Sequence, residues 1–147
     1  MAAPDPFSLQ RFVDAQDGVF EQALAELKAG SKQSHWMWFV FPQFAGLGQS
    51  PTSRHFAIHS LNEAQAYLHH PLLGPRLLES VDAVLGWAGK LDAPAIFGAV
   101  DSTKLRSSLT LFAAISDDPR FEVALDAFFE GKHDELTLAL LRQRGGI

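Results

Sequence analysis

The residues of this chain best suited to chemistry fall in two clusters about seventy positions apart. The first is KQSHWMWFVFPQ (32–43), where Lys32, His35 and Gln43 bracket Trp36 and Trp38 just ahead of the loop GLGQS (46–50). An indole face beside side-chain donors and the open N–H groups of a glycine loop is what a flat, polar heterocycle needs. The same residues read equally as core, since Trp and Phe clusters dominate core energetics without any ligand. The loop is no dinucleotide fingerprint, because Pro51 stands where the third glycine would be. No cofactor is expected from it.

The second cluster is DSTKLRSSLT (101–110). Asp101 is placed to cap a helix, and Lys104, Arg106, Ser107 and Ser108 crowd its first turns. Cationic and hydroxyl donors at a helix entrance suit an anion; a solvated polar face is the alternative. For proton transfer the candidates are His35, whose imidazole belongs to the class that titrates near neutrality, and the apolar-flanked carboxylates of Asp14 and Asp101. His55 and His59, four apart, have the spacing of half a zinc site. Phe56 stands where a metalloprotease helix carries its Glu, however, and no third ligand is indicated, so no metal is expected.

Helices must position these side chains, for helix signals recur about every fifteen residues. Ser8 is placed to cap a first helix, with Leu9, Phe12 and Val13 inward, and Asp17 to cap a second that Gly30 ends. Ser60 with Glu63 forms a capping box for a helix to about His69, before Pro71. Leu77, Val81, Val84 and Leu85 keep helical spacing to about Gly89, and Asp101 opens a helix to Ile115. Asp118-Pro119 starts a sixth and Asp134 a seventh. Residues 36–59 break the pattern. RHFAIH (54–59) alternates with period two, and the apolar run 36–41 suits a strand buried on both faces, giving a minor two-stranded β element. The expected class is mainly α, one compact domain over 1–147 with about seven helices and that β element.

Composition narrows the function classes. Among 147 residues, 47% are hydrophobic and 20% charged, which is enough apolar material for one core. The 17 acidic residues against 12 basic ones leave a net charge of −5, which argues against a duplex nucleic-acid partner. The absence of cysteine excludes disulfides and Cys-ligated zinc and suits a reducing compartment. MAAPDP (1–6) has no basic n-region and no apolar h-region, and no apolar run reaches membrane length. A cytoplasmic protein with no membrane partner is expected. Oligomeric state is not legible.

Together, RFVDAQ (11–16), SHWMWFVFPQ (34–43), HPLLGPRL (70–77) and IFG (96–98) followed by DSTKLRSSLTLF (101–112) resemble the bacterial family called domain of unknown function eighteen-ten. The resemblance covers nearly the whole chain and implies a mainly helical fold with no established activity. Some members carry the label calpastatin, which suits a disordered, hydrophilic chain and not this core-forming composition. A fainter similarity, in Ala15-Gln16, Leu77-Leu78-Glu79 and Phe97-Gly98 with Lys104, is to the NADAR proteins, which are ADP-ribose N-glycosidases. Asp17 follows where that family has Lys, and Phe97 stands in place of Trp, so its lysine-dependent chemistry does not carry over. For an enzyme, this similarity implies hydrolysis of an N-glycosidic bond.

The resulting expectation is one pocket for an anionic, nucleotide-like or ADP-ribose-like small molecule, with or without hydrolysis. Trp36 and Trp38 would be its walls, and Lys32, Gln43, Ser107 and Ser108 would add polar contacts. Lys104 and Arg106 would hold the anion, and His35, Asp14 or Asp101 would move protons. A non-enzymatic ligand-sensing or protein-interaction module is the alternative.

Overall fold

Caps and glycine stops set the bounds of several helices in the computed structural model, which describes residues 4–145. Ten α-helices follow in order: α1 Gln10–Gln16, α2 Phe20–Lys28, α3 Met37–Val40, α4 Pro51–His55 and α5 Leu61–His69, then α6 Leu73–Leu85, α7 Ala93–Phe97, α8 Ala99–Ile115, α9 Pro119–Phe129 and α10 Glu135–Leu140. A π-helical turn, Leu141–Gly145, closes the described part. The seven expected helices correspond to α1, α2, α5, α6, α8, α9 and α10; the three additional ones are short.

Several caps fall where the sequence places them. Ser60 Oγ accepts from Glu63 N at 3.0 Å, Asp118 from Arg120 N at 3.0 Å and Asp134 from Thr137 N at 3.1 Å. At Gly30, with φ +70°, the N–H donates to Leu27 O while Ser31 N reaches Glu26 O, a double closure that ends α2. Three expected caps are corrected. Asp5, not Ser8, caps α1, its carboxylate accepting from Leu9 N at 2.8 Å and Gln10 N at 2.9 Å. Val19 precedes α2 without any side-chain cap, so Asp17 does not serve there. α8 also starts early, at Ala99 behind Gly98, which places Asp101 inside the first turn rather than at its cap. Its carboxylate is therefore available to side chains.

The β element is corrected as well. Among the described residues no strand forms: the run 36–41 becomes α3, and RHFAIH is split between the end of α4 and a single parallel bridge, Phe44 to Ile58. The reason is local. Ser50 Oγ accepts from Ser53 N, and Pro51 has its φ preset at the first helical position, so 51–55 coils before the period-two pattern can act. Two backbone bonds, Ala45 N to Ile58 O at 2.8 Å and Ile58 N to Gln43 O at 2.9 Å, then tie the two arms of the loop together.

α8 runs through the core. Leu105, Leu109 and Phe112 are buried on it, and the Phe112 ring lies 5.7 Å from both Tyr67 and Phe121. Gln16, buried on α1, donates to Phe39 O at 2.7 Å and to Tyr67 Oη at 3.2 Å, holding α3 against α1 and α5. Burial raises the pKa of Tyr67, which keeps that phenol protonated in the core. No helix among the described residues is long and apolar enough to cross a membrane. The reading of the first residues as free of a leader falls partly on 1–3, outside the described residues.

Candidate functional site

The two indoles of the first cluster part company. Trp36 is 0% exposed, and its Nε1 donates to Glu26 Oε1 at 2.9 Å. Glu26 also accepts from Gln33 N, Ser34 N, Ser34 Oγ and Gln22 Nε2. Burial pushes this carboxyl up, but the hydrogen bonds outweigh it and hold the pKa at about 2. One ionised carboxylate thus fixes the 33–36 segment and turns Trp36 into the core, where it meets Phe41 and Phe97. Two residues on, Trp38 remains half-buried.

Asp101 links this segment to α8. Its Oδ2 lies 2.8 Å from Lys32 Nζ and its Oδ1 lies 3.3 Å from Lys104 Nζ. Lys32 Nζ stands 5.0 Å from the Trp36 ring centre, and Lys104 Nζ stands 4.6 Å from that of Trp38. A single carboxylate therefore sets two cations on two indole faces, both within cation–π range. Burial pushes the Asp101 pKa up; the two lysines outweigh it, so the net shift is downward and the group stays ionised.

Trp38 faces a concavity of two adjoining lobes that share Gln43, Gly48, Gln49 and Ser53. One lobe, of about 400 Å³, carries Arg54, Phe56, His59 and Arg144. The other, of about 490 Å³, carries Thr103, Lys104, Arg106, Ser107, Asp134 and Leu136. Side chains of the second lobe are braced from the turn 132–134 that leads into α10. Arg106 donates from Nε to Lys132 O at 2.8 Å and from Nη2 to His133 O at 2.7 Å, and Ser107 Oγ meets Asp134 Oδ2 at 2.9 Å.

Of the residues singled out in the sequence, Trp38, Gln43, Lys104, Arg106 and Ser107 line this concavity although they come from distant segments. The others lie elsewhere. Trp36 and Ser108 are buried, so neither offers a ligand any surface. Lys32 is almost buried, paired with Asp101 and donating to Ser34 O at 2.6 Å. His35 is exposed and lines neither lobe. Asp14 is exposed on α1, where it accepts from Gln10 Nε2 at 2.9 Å. Asp101 supports Lys104 without lining the cavity. His55, at the end of α4, packs edge-on against Phe56, while His59 lines the first lobe. Among the described residues no group of three or more His, Asp or Glu is gathered closely enough to hold a metal ion.

Arg54, His59, Arg144, Gln49 and Ser53 were not among the site residues expected from sequence. The signal that points to them is the loop 46–50, where Gly46 lines the first lobe and Gly48 lines both. Gly46 has φ +104°, and a Cβ there would press on Leu140 at 3.2 Å, so the loop's path depends on glycine at this point.

The fold is shared with a solved structure. The crystal structure of the conserved hypothetical protein Rv1873 from Mycobacterium tuberculosis matches with a TM-score of 0.91 at 49% identity, covering 94% of this chain and 99% of that one. No curated protein matches the chain, and the fainter similarity to ADP-ribose N-glycosidases finds no support in these comparisons. The chain belongs to the family described as protein of unknown function (DUF1810), whose model matches residues 6–141.

Proposed function

We propose that the two-lobed concavity at Trp38 binds an anionic small molecule with a flat, nucleotide-like part. One observation carries the reading: in a chain of net charge −5, the walls of this concavity present Arg54, Arg106, Arg144 and Lys104 against one carboxylate, Asp134. Cations gathered in a cleft with low-dielectric walls focus field and draw anions. Trp38 adds an accessible indole for a planar group, and Gln43 and Gln49 add amide donors and acceptors. The volumes are those of small-molecule sites.

Binding rather than hydrolysis is the reading. Asp14 and His35 lie outside the concavity, and Asp101, held ionised between two lysines, is a positioning residue for Lys104. The test is a thermal-shift screen of the full chain against nucleotides, ADP-ribose derivatives and their neutral nucleosides. A bound compound at 100 times its dissociation constant adds about 2.7 kcal/mol, and Trp38→Ala removes that gain. If no anion raises the melting temperature, or if the neutral nucleosides do so equally, the anionic reading fails.

A further inference from the structure

We infer that the two lobes divide the ligand, the lobe of Arg54, His59 and Arg144 taking its anionic group and the lobe against α8 taking an uncharged, hydroxyl-rich group. This deepens the binding reading above and rests on it. The reason is how the charge of each lobe is already engaged. At α8, the Lys104 ammonium has Asp101 Oδ1 at 3.3 Å and the face of Trp38 at 4.6 Å. Arg106 has two of its N–H groups committed to the carbonyls of Lys132 and His133. The carboxylate of Asp134 stands in the same wall. Lys104 and Arg106 keep their charge. With Asp101 and Asp134 beside them and two Arg106 donors already taken, however, this wall leaves an incoming anion fewer free donors than the other lobe does. What this wall offers is hydroxyls from Ser50, Ser53, Thr103 and Ser107, together with Asp134 Oδ1, since Oδ2 already accepts from Ser107 and Thr137. Such hydroxyls keep acceptor capacity while donating: Thr103 Oγ1 donates to Val100 O at 2.6 Å, and Ser107 Oγ meets Asp134. Hydroxyl and carboxylate acceptors beside an indole suit the hydroxyl groups and C–H face of a sugar or similar polyol.

The other lobe is the opposite case. Arg54 and Arg144 are exposed arginines, and no carboxylate lines this lobe among the described residues. The one side-chain bond of Arg54 seen there, Nη2 to the neutral Gln49 Oε1 at 3.2 Å, leaves its charge uncompensated. Two guanidinium groups facing one cavity offer the planar forks that bind phosphate or carboxylate in bidentate fashion. The anion is therefore assigned to the arginine lobe, away from the α8 entrance where the spacing of Lys104 and Arg106 first suggests it.

Amide chemical-shift titrations of the full chain test this division, with inorganic phosphate and adenosine 5′-monophosphate as probes. Phosphate is expected to move the signals of residues 46–49 and 57–59 but not those of 103–107. The nucleotide, carrying a ribose as well, should move both sets and bind more tightly. Arg54→Gln or Arg144→Gln should weaken phosphate roughly tenfold or more, as loss of a charge-assisted hydrogen bond does, while Lys104→Gln changes it little. Circular dichroism melting checks that each variant folds. The opposite pattern, with phosphate lost in Lys104→Gln and kept in the arginine variants, overturns the division and leaves the binding reading intact. Movement of the 46–59 signals alone by the nucleotide overturns it in the same way. Binding of neither probe overturns the division too, and with the nucleotide screen also silent the binding reading falls with it.

Discussion

The Glu26 carboxylate receives five hydrogen bonds, from two backbone amides, the Ser34 hydroxyl, the Gln22 amide and the Trp36 indole. Glu26→Gln removes the charge and at least one acceptor, so stability should fall by about 1–3 kcal/mol in urea denaturation. The pH dependence has a definite sign. The folded pKa of about 2 lies below the ordinary 4.5, so this contribution is present above pH 4.5 and is lost as pH falls from there toward 2. The melting temperature of the native protein should decline across that window, and more shallowly in the Gln variant; parallel curves would mean that other groups govern acid unfolding. Asp101 supplies a second case. Asp101→Asn leaves the nearly buried Lys32 without its ion-pair partner, at a cost of about 1–3 kcal/mol. Lys104→Ala, at a more exposed position, should stay within about 0.5 kcal/mol. Equal losses in the two variants would show that Asp101 acts through Lys104 and not through Lys32.

At the scale of elements, α5 and α6 meet at Gly74 with no room for a side chain. A Cβ on Gly74 would collide with the carbonyl oxygen of Leu68, a backbone atom that cannot swing aside. Gly74→Ala should therefore destabilise by about 2–4 kcal/mol, far outside the range of ordinary surface changes, and urea midpoints measure it. HPLLGPRL (70–77) displays this glycine in sequence, but only the approach of two helices explains it. Most of the seven longer helices were legible because an apolar stripe meets a cap or a glycine stop, as with Ser60, Asp118, Asp134 and Gly30. The three short ones were not. α3 and α4 have only four and five residues, too few for a periodic stripe, and α7 is announced by little more than Asp92 capping Ala95 ahead of Pro94. For the same reason Asp101 looked like a cap: α8 begins at Ala99, behind a glycine with no capping side chain. The concavity was half legible. Trp38, Gln43, Lys104, Arg106 and Ser107 stand out by type and clustering, whereas Arg54 and Arg144 gain meaning only when the loop 46–50 brings α4 and the C-terminal turn to one cavity. Trp36 and Trp38, two positions apart, could not be told apart without the Glu26 hydrogen bonds that bury one of them.

Across the whole molecule, the buried apolar cluster draws side chains from α1, α2, α3, α5, α6, α7, α8 and α9 and from Leu141 after α10. With one continuous cluster and no second one among the described residues, the chain should unfold in a single cooperative step, as one domain, with calorimetric and van't Hoff enthalpies equal. α4 stands apart, since none of its residues is buried. Its attachments lie at its C-terminal end: the Phe56 contacts, at 5.3 Å to Phe39 and 5.7 Å to Phe12, and the hydrogen bonds from Arg11 to His55 O at 2.7 Å and to Ala57 O at 2.9 Å. A helix held from one end by so few groups opens locally at far lower cost than the global unfolding that exposes α8. Amide hydrogens of residues 53–56 should thus exchange much faster than those of 105–112, whose exchange should track global stability. Because Ser53 and Arg54 line the concavity from this helix, a ligand bound there must hold α4 in place, and the 53–56 amides should slow when the nucleotide is present. Exchange at 53–56 that is unchanged by a ligand which raises the melting temperature would put the binding site on another face. Protection at 53–56 equal to that of α8 without ligand would show α4 to be anchored by contacts beyond those of Phe56 and Arg11.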